Sequence, residues 1–396
     1  MEAYASDWLQ LLLRWVHLIT GIAWIGSSFY FVWLDNHLLP PRSQADADLG
    51  IGGELWAVHG GGFYVVRKFQ IAPESLPEPL HWFKWEAYWT WISGFALLVV
   101  MYYLHADVYM IDRGIADISA VEAVSVSAAL LVAGWFFYDQ LCQRLGFDHE
   151  RWIAAAMLAM VAAVAWSLSH LYSGRAVYIQ IGAMLGTIMV ANVAHVIIPS
   201  QRKLVEAKEQ GLAPDPVYGL RGKQRSVHNN YFTLPVLFIM ISNHYPMTYA
   251  SRHGWWVLLA IMLLAAYVRH FFNLRHRGRT VWAIPVGAAL ATLALAIAIA
   301  PAPPKAAPAT ASFTRVQSIV ALRCAGCHAE HPTQEGFAVA PKNMLLDTPA
   351  LIVANAQKIY QQAVATRTMP IGNLTGMTDD ERSVLASWIA AGAPPR

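Results

Sequence analysis

The stretch VYIQIGAMLGTIMVANVAHVII, residues 177–198, runs for 22 residues without a single Asp, Glu, Lys or Arg. A helix that crosses the roughly 30 Å hydrocarbon core of a bilayer needs about 20 such residues. Seven further apolar stretches near that length lie at residues 8–34, 88–105, 120–142, 152–170, 229–245, 254–272 and 281–300. The sequence therefore predicts an all-α, polytopic bundle of about eight transmembrane helices in a lipid bilayer.

The overall composition agrees with a membrane location. Hydrophobic residues make up 56% of the chain and charged residues only 13%, about half the charged share of soluble proteins. The 16 Trp and 16 Tyr residues suit membrane interfaces, where amphipathic rings accumulate. The net charge of +3 is small, and no basic run is interleaved with aromatic residues. These features argue against a nucleic-acid partner.

Basic residues in the connecting loops predict which way the bundle faces. Loops 35–87, 143–151, 199–228 and 273–280 hold fifteen Lys and Arg, whereas the N-terminal tail and the loops on the other side hold three. Cytoplasmic loops carry the excess of Lys and Arg. We therefore expect the N-terminus and the end of the eighth helix to lie outside the cytoplasm.

The character of the sequence changes after the last apolar stretch, so we divide the chain into a membrane domain (1–300), a Pro/Ala-rich linker (301–312) and a soluble domain (313–396). The soluble part contains Cys324-Ala-Gly-Cys327-His328, the attachment sequence for c-type haem. Two thiols at this spacing can each add to one vinyl group, and the next imidazole reaches the iron. A zinc site would need a second Cys/His pair, which the chain lacks.

The second axial ligand of the haem iron is expected from Met369. It lies about forty residues after His328 and precedes a stretch that predicts a capped amphipathic helix, Thr378-Asp-Asp-Glu381 and onward. Met344 and Met377 are the alternatives. A His/Met pair raises the reduction potential, which suits an electron acceptor. The soluble part is thus predicted to be a small, all-α, class I-type cytochrome c domain.

Two independent arguments place this domain on the periplasmic side of the bacterial inner membrane. Haem c is attached outside the cytoplasmic membrane in bacteria, and the loop charges put residue 301 on that same side. The arguments use different residues.

Polar clusters collect at the predicted cytoplasmic face of the bundle. They are His59-Gly-Gly-Gly62, His81-Trp-Phe-Lys84-Trp-Glu86, Gln201-Arg202, Lys223-Gln-Arg225-Ser-Val-His228-Asn229-Asn230 and Arg269-His270-Phe-Phe-Asn273. Each cluster alone is explained by interfacial anchoring and loop positioning. Five together, rich in Asn, Gln, Arg and His, predict a polar ligand pocket.

Several of these strings resemble those of one family, the integral-membrane, cytochrome c-linked urate oxidases, also called urate hydroxylases. The resemblance spans nearly the whole chain. It is carried by Arg14-Trp-Val-His17, Gly21-Ile-Ala-Trp24-Ile-Gly26, Gly186-Thr-Ile-Met-Val-Ala-Asn192, Ser242-Asn243-His244-Tyr-Pro246, the His59, His81 and Lys223 strings above, and the C-terminal cytochrome motif. It implies oxidation of urate to 5-hydroxyisourate in purine degradation. Electrons would leave through haem c to the respiratory chain instead of producing hydrogen peroxide.

The residues at the cytoplasmic face permit that chemistry. Urate is a planar, anionic, bicyclic amide, and the guanidinium of Arg225 offers a bidentate fork to its edge. The amides of Asn229 and Asn230 can pair with the rest of its rim. The base would be His228, Glu86 or Lys84, with His favoured because its pKa lies near neutrality. The remaining candidates, His59 and His81, stay unranked from sequence alone.

Lys84 and Glu86 are not expected to act as a directly paired dyad. They are two residues apart on a predicted helix, and side chains at that spacing do not face each other.

Electron transfer from a cytoplasmic pocket to an outer haem leaves a gap in this scheme. Tunnelling falls steeply with distance, so a relay or a deeply recessed site is needed. His17 lies in the middle of the first apolar stretch, and His105, His170 and His244 lie toward the outer ends of others. A non-covalent haem b held by two of them, such as His17 and His244, would bridge the gap. Trp and Tyr stepping-stones, with each His merely packed, are the alternative.

Two further functions remain open at this point. The same architecture could oxidise another purine or heterocycle, or it could be a transporter or redox-sensing module that binds without chemistry. The lack of repeat symmetry and of a mid-membrane charged site weighs against transport. Since urate gives up two electrons and one haem c holds one, two successive transfers to a periplasmic cytochrome c or a terminal oxidase are expected.

Overall fold

The computed structural model describes residues 2–250, 253–300, 312–334 and 337–395. The predicted linker at 301–312 lies outside the described residues, apart from Ser312. The first 300 residues form α1 (Glu2–His37), α2 (Gln44–Asp48), β1 (Ile51–His59), β2 (Gly62–Phe69), α3 (Trp85–Leu98), α4 (Ala106–Tyr109), α5 (Ala120–Leu145), α6 (Glu150–Leu168), α7 (Gly174–Ala191), α8 (Ile198–Glu209), α9 (Pro216–Ser242), α10 (Pro246–Tyr249), α11 (Gly254–His276) and α12 (Ala283–Ala298). The C-terminal unit, residues 312–395, forms α13 (Phe313–Arg323), α14 (Pro349–Ala354), α15 (Ala356–Ile359) and α16 (Asp379–Ala390). Turns of π-helix follow α3, α7 and α15, at Val99–Tyr103, Asn192–Ile197 and Tyr360–Ala365, and 3-10 turns lie at Pro341–Asn343 and Ile371–Asn373.

The predicted apolar stretches all fall on helices of the bundle. Within the described residues, five helices are long and apolar enough to span a membrane: Tyr4–His37, Ala120–Leu145, Glu150–Leu168, Gly174–Glu209 and Gly254–His276. A sixth, α12, is apolar but has 16 residues. The membrane character of the chain is thus supported, while the number of eight spans stays a prediction.

Helices α1 and α12 present apolar side chains on their exposed faces. Trp15, Ile22, Leu290 and Ile297 are each more than 60% exposed. Many large apolar side chains exposed on the same helices are unusual on a monomeric protein in water and are compatible with a lipid environment.

Helix α7 forms the centre of the bundle. It packs against α3, α5, α6, α9 and α11, and most of its side chains are buried. A methyl group at Gly182 would lie 2.5 Å from Cγ2 of Ile239, so this glycine allows α7 and α9 to approach closely. Small residues serve this purpose in membrane helix packing.

The all-α description needs one correction, because residues 51–69 form an antiparallel hairpin. β1 pairs with β2 in the register His59↔Gly62. Gly60 and Gly61 form the two-residue turn with φ of 57° and 81°, a conformation that favours glycine at both positions. The string His59-Gly-Gly-Gly62 is therefore the tip of a hairpin.

The C-terminal unit has a hydrophobic core of its own. The rings of Phe313 and Trp388 stack with their centroids 5.6 Å apart, and Val316, Val320 and Leu385 are fully buried around them. Helix α16 begins with the predicted cap, since Thr378 and Glu381 form a reciprocal capping box.

An ion pair joins the first and last helices of this unit. Nε of Arg323 donates to both carboxylate oxygens of Glu381 at 3.1 and 3.2 Å, and the Thr378 N–H donates to the same carboxylate at 2.8 Å. Burial pushes the pKa of Glu381 upward, but the Thr378 N–H and the Arg323 guanidinium outweigh it and hold the pKa below its ordinary value.

The C-terminal unit rests on the end of the bundle that carries few basic residues. Its 3-10 turn Ile371–Asn373 packs against α4. A methyl group at Gly372 would lie 2.6 Å from the carbonyl oxygen of Ile111 and 3.2 Å from that of Val108, and its φ is 53°. Only glycine allows this close backbone approach.

Replacing Glu381 by Gln is expected to lower the free energy of unfolding of the C-terminal unit by about 2 kcal/mol at neutral pH, because Arg323 loses a charged partner. The folded pKa of Glu381 lies below its unfolded value of about 4.3, so its stabilisation is complete above that value and is lost as pH falls through the folded pKa. Thermal unfolding of the full chain in detergent at pH 7 and at pH 3 measures this difference.

The matched control is Asp380→Asn, which removes a carboxylate from the same helical turn. Asp380 is exposed, and we expect a change within about 0.5 kcal/mol. Equal effects of the two substitutions would contradict the assigned role of Glu381.

Candidate functional site

A buried ion pair anchors the polar network at the basic end of the bundle. Nη2 of Arg225, on α9, lies 2.7 Å from Oδ1 of Asp139, on α5, and the Arg225 side chain is only 4% exposed. The guanidinium carbon of Arg225 also lies 4.8 Å from the centre of the Tyr138 ring. The ion pair thereby holds α5 and α9, which are far apart in sequence, against each other.

His228 connects the buried part of this network to the surface. Its Nε2 lies 2.6 Å from Oε2 of Glu150 and its Nδ1 lies 2.8 Å from the Tyr138 hydroxyl. Because a carboxylate only accepts, Nε2 carries the hydrogen and Nδ1 accepts from Tyr138 when the ring is neutral. The Glu150 side chain is 49% exposed, so the chain of hydrogen bonds ends in solvent.

The π-helical turn after α7 brings Asn192 into the same network. Its Nδ2 donates to the Tyr138 hydroxyl at 3.1 Å and to Oδ1 of Asn229 at 2.8 Å. Asn229 in turn donates to the Met189 carbonyl at 2.9 Å. Such π turns are frequent where a helix must present functional side chains.

A second polar group on the other side of α9 is not fully paired. Oδ1 of Asn230 accepts from Nε of Arg269 at 2.9 Å and from Nδ2 of Asn273 at 3.0 Å. Nδ2 of Asn230, Nη2 of Arg269 and Oδ1 of Asn273 are buried and have no hydrogen-bond partner among the described residues. Buried polar atoms are normally paired, and each one left unpaired costs about 1–3 kcal/mol. This group can therefore receive a ligand with complementary donors and acceptors.

A cavity of about 410 Å³ lies beside this group, between α1, α9 and α11. It is lined by Phe29, Tyr30, Trp33, Leu234, Arg269, Phe272 and His276. The guanidinium carbon of Arg269 lies 3.8 Å from the centre of the Phe29 ring. Aromatic walls, one cation and a volume in the range of small-molecule pockets suit a flat, anionic molecule.

The predicted polar residues do not surround one pocket. His228, Asn229 and Asn230 are consecutive on α9, and each step along a helix turns by about 100°. Their side chains consequently reach Glu150 on α6, the end of α7, and Arg269 on α11, respectively.

Four other predicted residues lie apart from the His228 network in the described structure. Nζ of Lys84 lies 5.5 Å from the centre of the Trp85 ring, and Oε2 of Glu86 is buried without a partner. His59 and His81 are exposed, the first at the hairpin tip and the second before α3.

Residues that the sequence interpretation missed complete the network: Tyr138, Asp139, Glu150 and Asn192. Asp139 carried a usable signal, because a lone carboxylate inside an apolar stretch points to a partner or a site. The other three became recognisable only from their contacts.

A second, larger cavity of about 2030 Å³ extends from the bundle into the C-terminal unit. Its walls include Cys324, Cys327, His328 and Met369 of the C-terminal unit, and His17, Trp24, Trp91 and the predicted His244 of the bundle. The two units of the chain therefore share one internal space.

The Cys324–His328 turn is arranged with its reactive atoms available. Nδ1 of His328 lies 2.9 Å from the carbonyl oxygen of Met344, which leaves Nε2 free. Cys324 and Cys327 form no disulfide with a described residue. Burial raises the pKa of Cys324 to about 12 and also raises the pKa of Cys327. Among the described residues, no group of three or more His, Cys, Asp or Glu side chains is placed to hold a metal ion.

Comparison with known proteins identifies the family of the membrane part. The urate oxidase N-terminal family model matches residues 3–300, about three quarters of the chain. The chain therefore belongs to the urate oxidase N-terminal family, which confirms the urate oxidase part of the resemblance. No curated protein and no solved structure matches the chain.

Replacing Asp139 by Asn is expected to destabilise the bundle by about 3–5 kcal/mol, because Arg225 remains buried without its counter-charge. The double variant Asp139→Leu with Arg225→Met removes both charges and is expected to recover most of that loss. Thermal unfolding in detergent measures both. A double variant less stable than the single one would contradict a purely structural role for the pair.

Proposed function

We propose that this chain is a multi-pass enzyme of the bacterial inner membrane that oxidises urate to 5-hydroxyisourate, with electrons leaving through a c-type haem. In this reaction, one urate and one water give 5-hydroxyisourate, two electrons and two protons. Family membership supports urate-related oxidation, and the five apolar helices support a membrane location. The observation that carries the substrate site is the set of unpaired polar atoms on Asn230, Arg269 and Asn273.

Urate complements those unpaired atoms. Nη2 of Arg269 and Nδ2 of Asn230 are donors that suit carbonyl oxygens on the urate rim, and Oδ1 of Asn273 is an acceptor that suits a ring N–H. The guanidinium also balances the charge of the urate anion. The ring of Phe29, already against Arg269, provides a flat apolar wall. These contacts would hold urate at the cytoplasmic end of the bundle.

Protons released by the oxidation need a route to water. We assign the exit of these protons to His228, because its ring joins the buried Tyr138 hydroxyl to the half-exposed carboxylate of Glu150. His228 lies on a different face of α9 from the Asn230 group, so it would act on protons that have already left the urate site. A proton accepted from the Tyr138 side can leave through Glu150. Glu86, with its buried and unpaired Oε2, is the alternative base.

The C-terminal unit fits a c-type haem. Cys324 and Cys327 would form the thioether bonds, and His328 would bind the iron through Nε2, since Nδ1 is held by the Met344 carbonyl. A haem bound there would accept one electron at a time, so the oxidation of each urate would require two successive electron transfers. The further acceptor we propose is a periplasmic cytochrome c or a terminal oxidase.

Met369 is the second axial ligand we propose for that haem. Met369 and Met344 both line the cavity, but the Met344 carbonyl already holds the His328 ring, which places Met344 on the His328 side. Met377 is buried in the core of the unit.

Anaerobic addition of urate to membranes that contain the protein is expected to reduce the haem c promptly, whereas xanthine is not. Arg269→Gln removes a charged hydrogen bond worth about 2 kcal/mol, so half-maximal reduction needs roughly 30-fold more urate. Asn273→Ala, which removes the unpaired acceptor and also the Nδ2 donor to Asn230, shifts the response in the same direction. Absorption in the α band during titration measures these shifts.

The matched control is Arg275→Gln, on the exposed side of the same helix end. We expect it to leave the urate titration unchanged. Reduction by xanthine but not urate would show that another purine is the substrate. If no purine reduces the haem, the chain would bind a ligand without oxidising it.

Urate oxidation in air is expected to proceed without stoichiometric hydrogen peroxide, because electrons leave through the haem. Urate loss would be measured by its ultraviolet absorbance together with a peroxidase-coupled assay, in the presence of a soluble cytochrome c as acceptor. One peroxide per urate consumed would contradict the proposed electron route.

A further inference from the structure

His17 is oriented as a metal-ligating histidine is. Its Nδ1 lies 2.9 Å from the Thr90 carbonyl oxygen and 3.2 Å from the Ser93 hydroxyl. A carbonyl only accepts, so Nδ1 carries the hydrogen, and Nε2 has no partner within the described parts of the chain. Histidines that bind metals are fixed by such a hydrogen bond from their other ring nitrogen. His17 also lines the 2030 Å³ cavity.

The wall around His17 has room for a flat group. Residues that share its face of α1, namely Arg14, Gly21 and Trp24, line the same cavity at helical spacing. A methyl group at Gly94 would lie 2.8 Å from Cε1 of His17, so glycine is required there for the ring to take this position. A methyl group at Gly186, another lining residue, would meet nothing within 4 Å.

A second histidine reaches this cavity from another helix. The histidines among its lining residues are His17, His244 and His328. His328 belongs to the Cys324 motif, whereas His244 follows α9. The described contacts give the His244 ring no hydrogen-bond partner, so it is available to a ligand.

Two cations lie toward the outer part of the cavity. Arg14 is one helical turn from His17 on the side of the N-terminus. Arg175 uses only Nε in its hydrogen bonds, to the Tyr102 hydroxyl and to Oδ1 of Asn243, each at 3.1 Å. Its terminal amino groups have no hydrogen-bond partner in the described structure, and the guanidinium carbon lies 5.0 Å from the centre of the Tyr109 ring. Paired cations at a rim suit a flat group that bears two carboxylates.

We propose that His17 and His244 are the axial ligands of a second, non-covalent haem of b type. Its two propionates would lie against Arg14 and Arg175. The porphyrin would occupy the open space beside Gly186.

The role of this haem, which is to carry electrons from the urate site toward the c-type haem, depends on the proposed function. Phe29 contacts the substrate site, and His17 lies twelve residues earlier on α1, about 18 Å along the helix axis. The cavity then continues from His17 to Cys324. The iron would take up one electron and pass it on, twice for each urate oxidised.

The pyridine haemochrome of the purified full chain tests the proposal independently of urate. We expect one b-type haem, extractable with acidified acetone, for each covalent c-type haem. His17→Gln, which keeps a donor to the Thr90 carbonyl but is a poor iron ligand, is expected to lose at least nine tenths of the b-type haem and keep the c-type haem. Gly94→Ala, which displaces the His17 ring, is expected to lower the ratio as well.

His170→Ala is the matched control, because His170 lies at the end of α6 and does not line the cavity. Its ratio of b-type to c-type haem is expected to stay at one. A spectrum of c-type haem alone would overturn the proposal and leave aromatic side chains as the relay. Equal b-type content in the parent chain and in His17→Gln would show adventitious haem and overturn the site. If urate fails to reduce the protein but the ratio is one, the proposed function fails and this inference stands.

Discussion

The buried ion pair between Arg225 and Asp139 is the constraint on which the basic end of the bundle depends. Taking two charges out of water is costly, and the cost is met only when each has a close, hydrogen-bonded partner. At 2.7 Å, with Tyr138 against the guanidinium, Nη2 of Arg225 meets that condition, while Nη1 is buried without a hydrogen-bond partner among the described residues. It fixes α5 against α9, and His228 reaches Glu150 from the same helix face as a result.

The same requirement for partners separates structural polar groups from candidate binding groups. Among the described residues, Asn229 pairs both ends of its amide and Asn192 leaves only Oδ1 unpaired, so their part of the network mainly holds helices together. Asn230, Arg269 and Asn273 also contact each other but leave one buried atom each unpaired. A folded chain rarely retains three such atoms together unless a ligand completes them.

The two ends of the bundle carry different groups. The unpaired polar group lies among the basic loops, whereas the C-terminal unit rests on α4 at the opposite end, where Gly372 permits close backbone contact. Between them, His17 lines a cavity shared by both units. In the proposed function, the substrate would bind at one end of the molecule and electrons would leave at the other.

The sequence by itself determined the apolar helices, the distribution of basic loops, the cap of α16 and the Cys324–His328 motif, because each depends on residues close together in the chain. It also contained Gly60-Gly61, whose two-residue hairpin turn is a local signal that the all-α interpretation passed over. Only the tertiary structure decided which polar side chains meet. His228, Asn229 and Asn230 are adjacent in sequence but point to three different helices, since each helical residue turns by about 100°. Their partners Glu150, Asn192 and Arg269 come from distant segments, and packing alone brings them together.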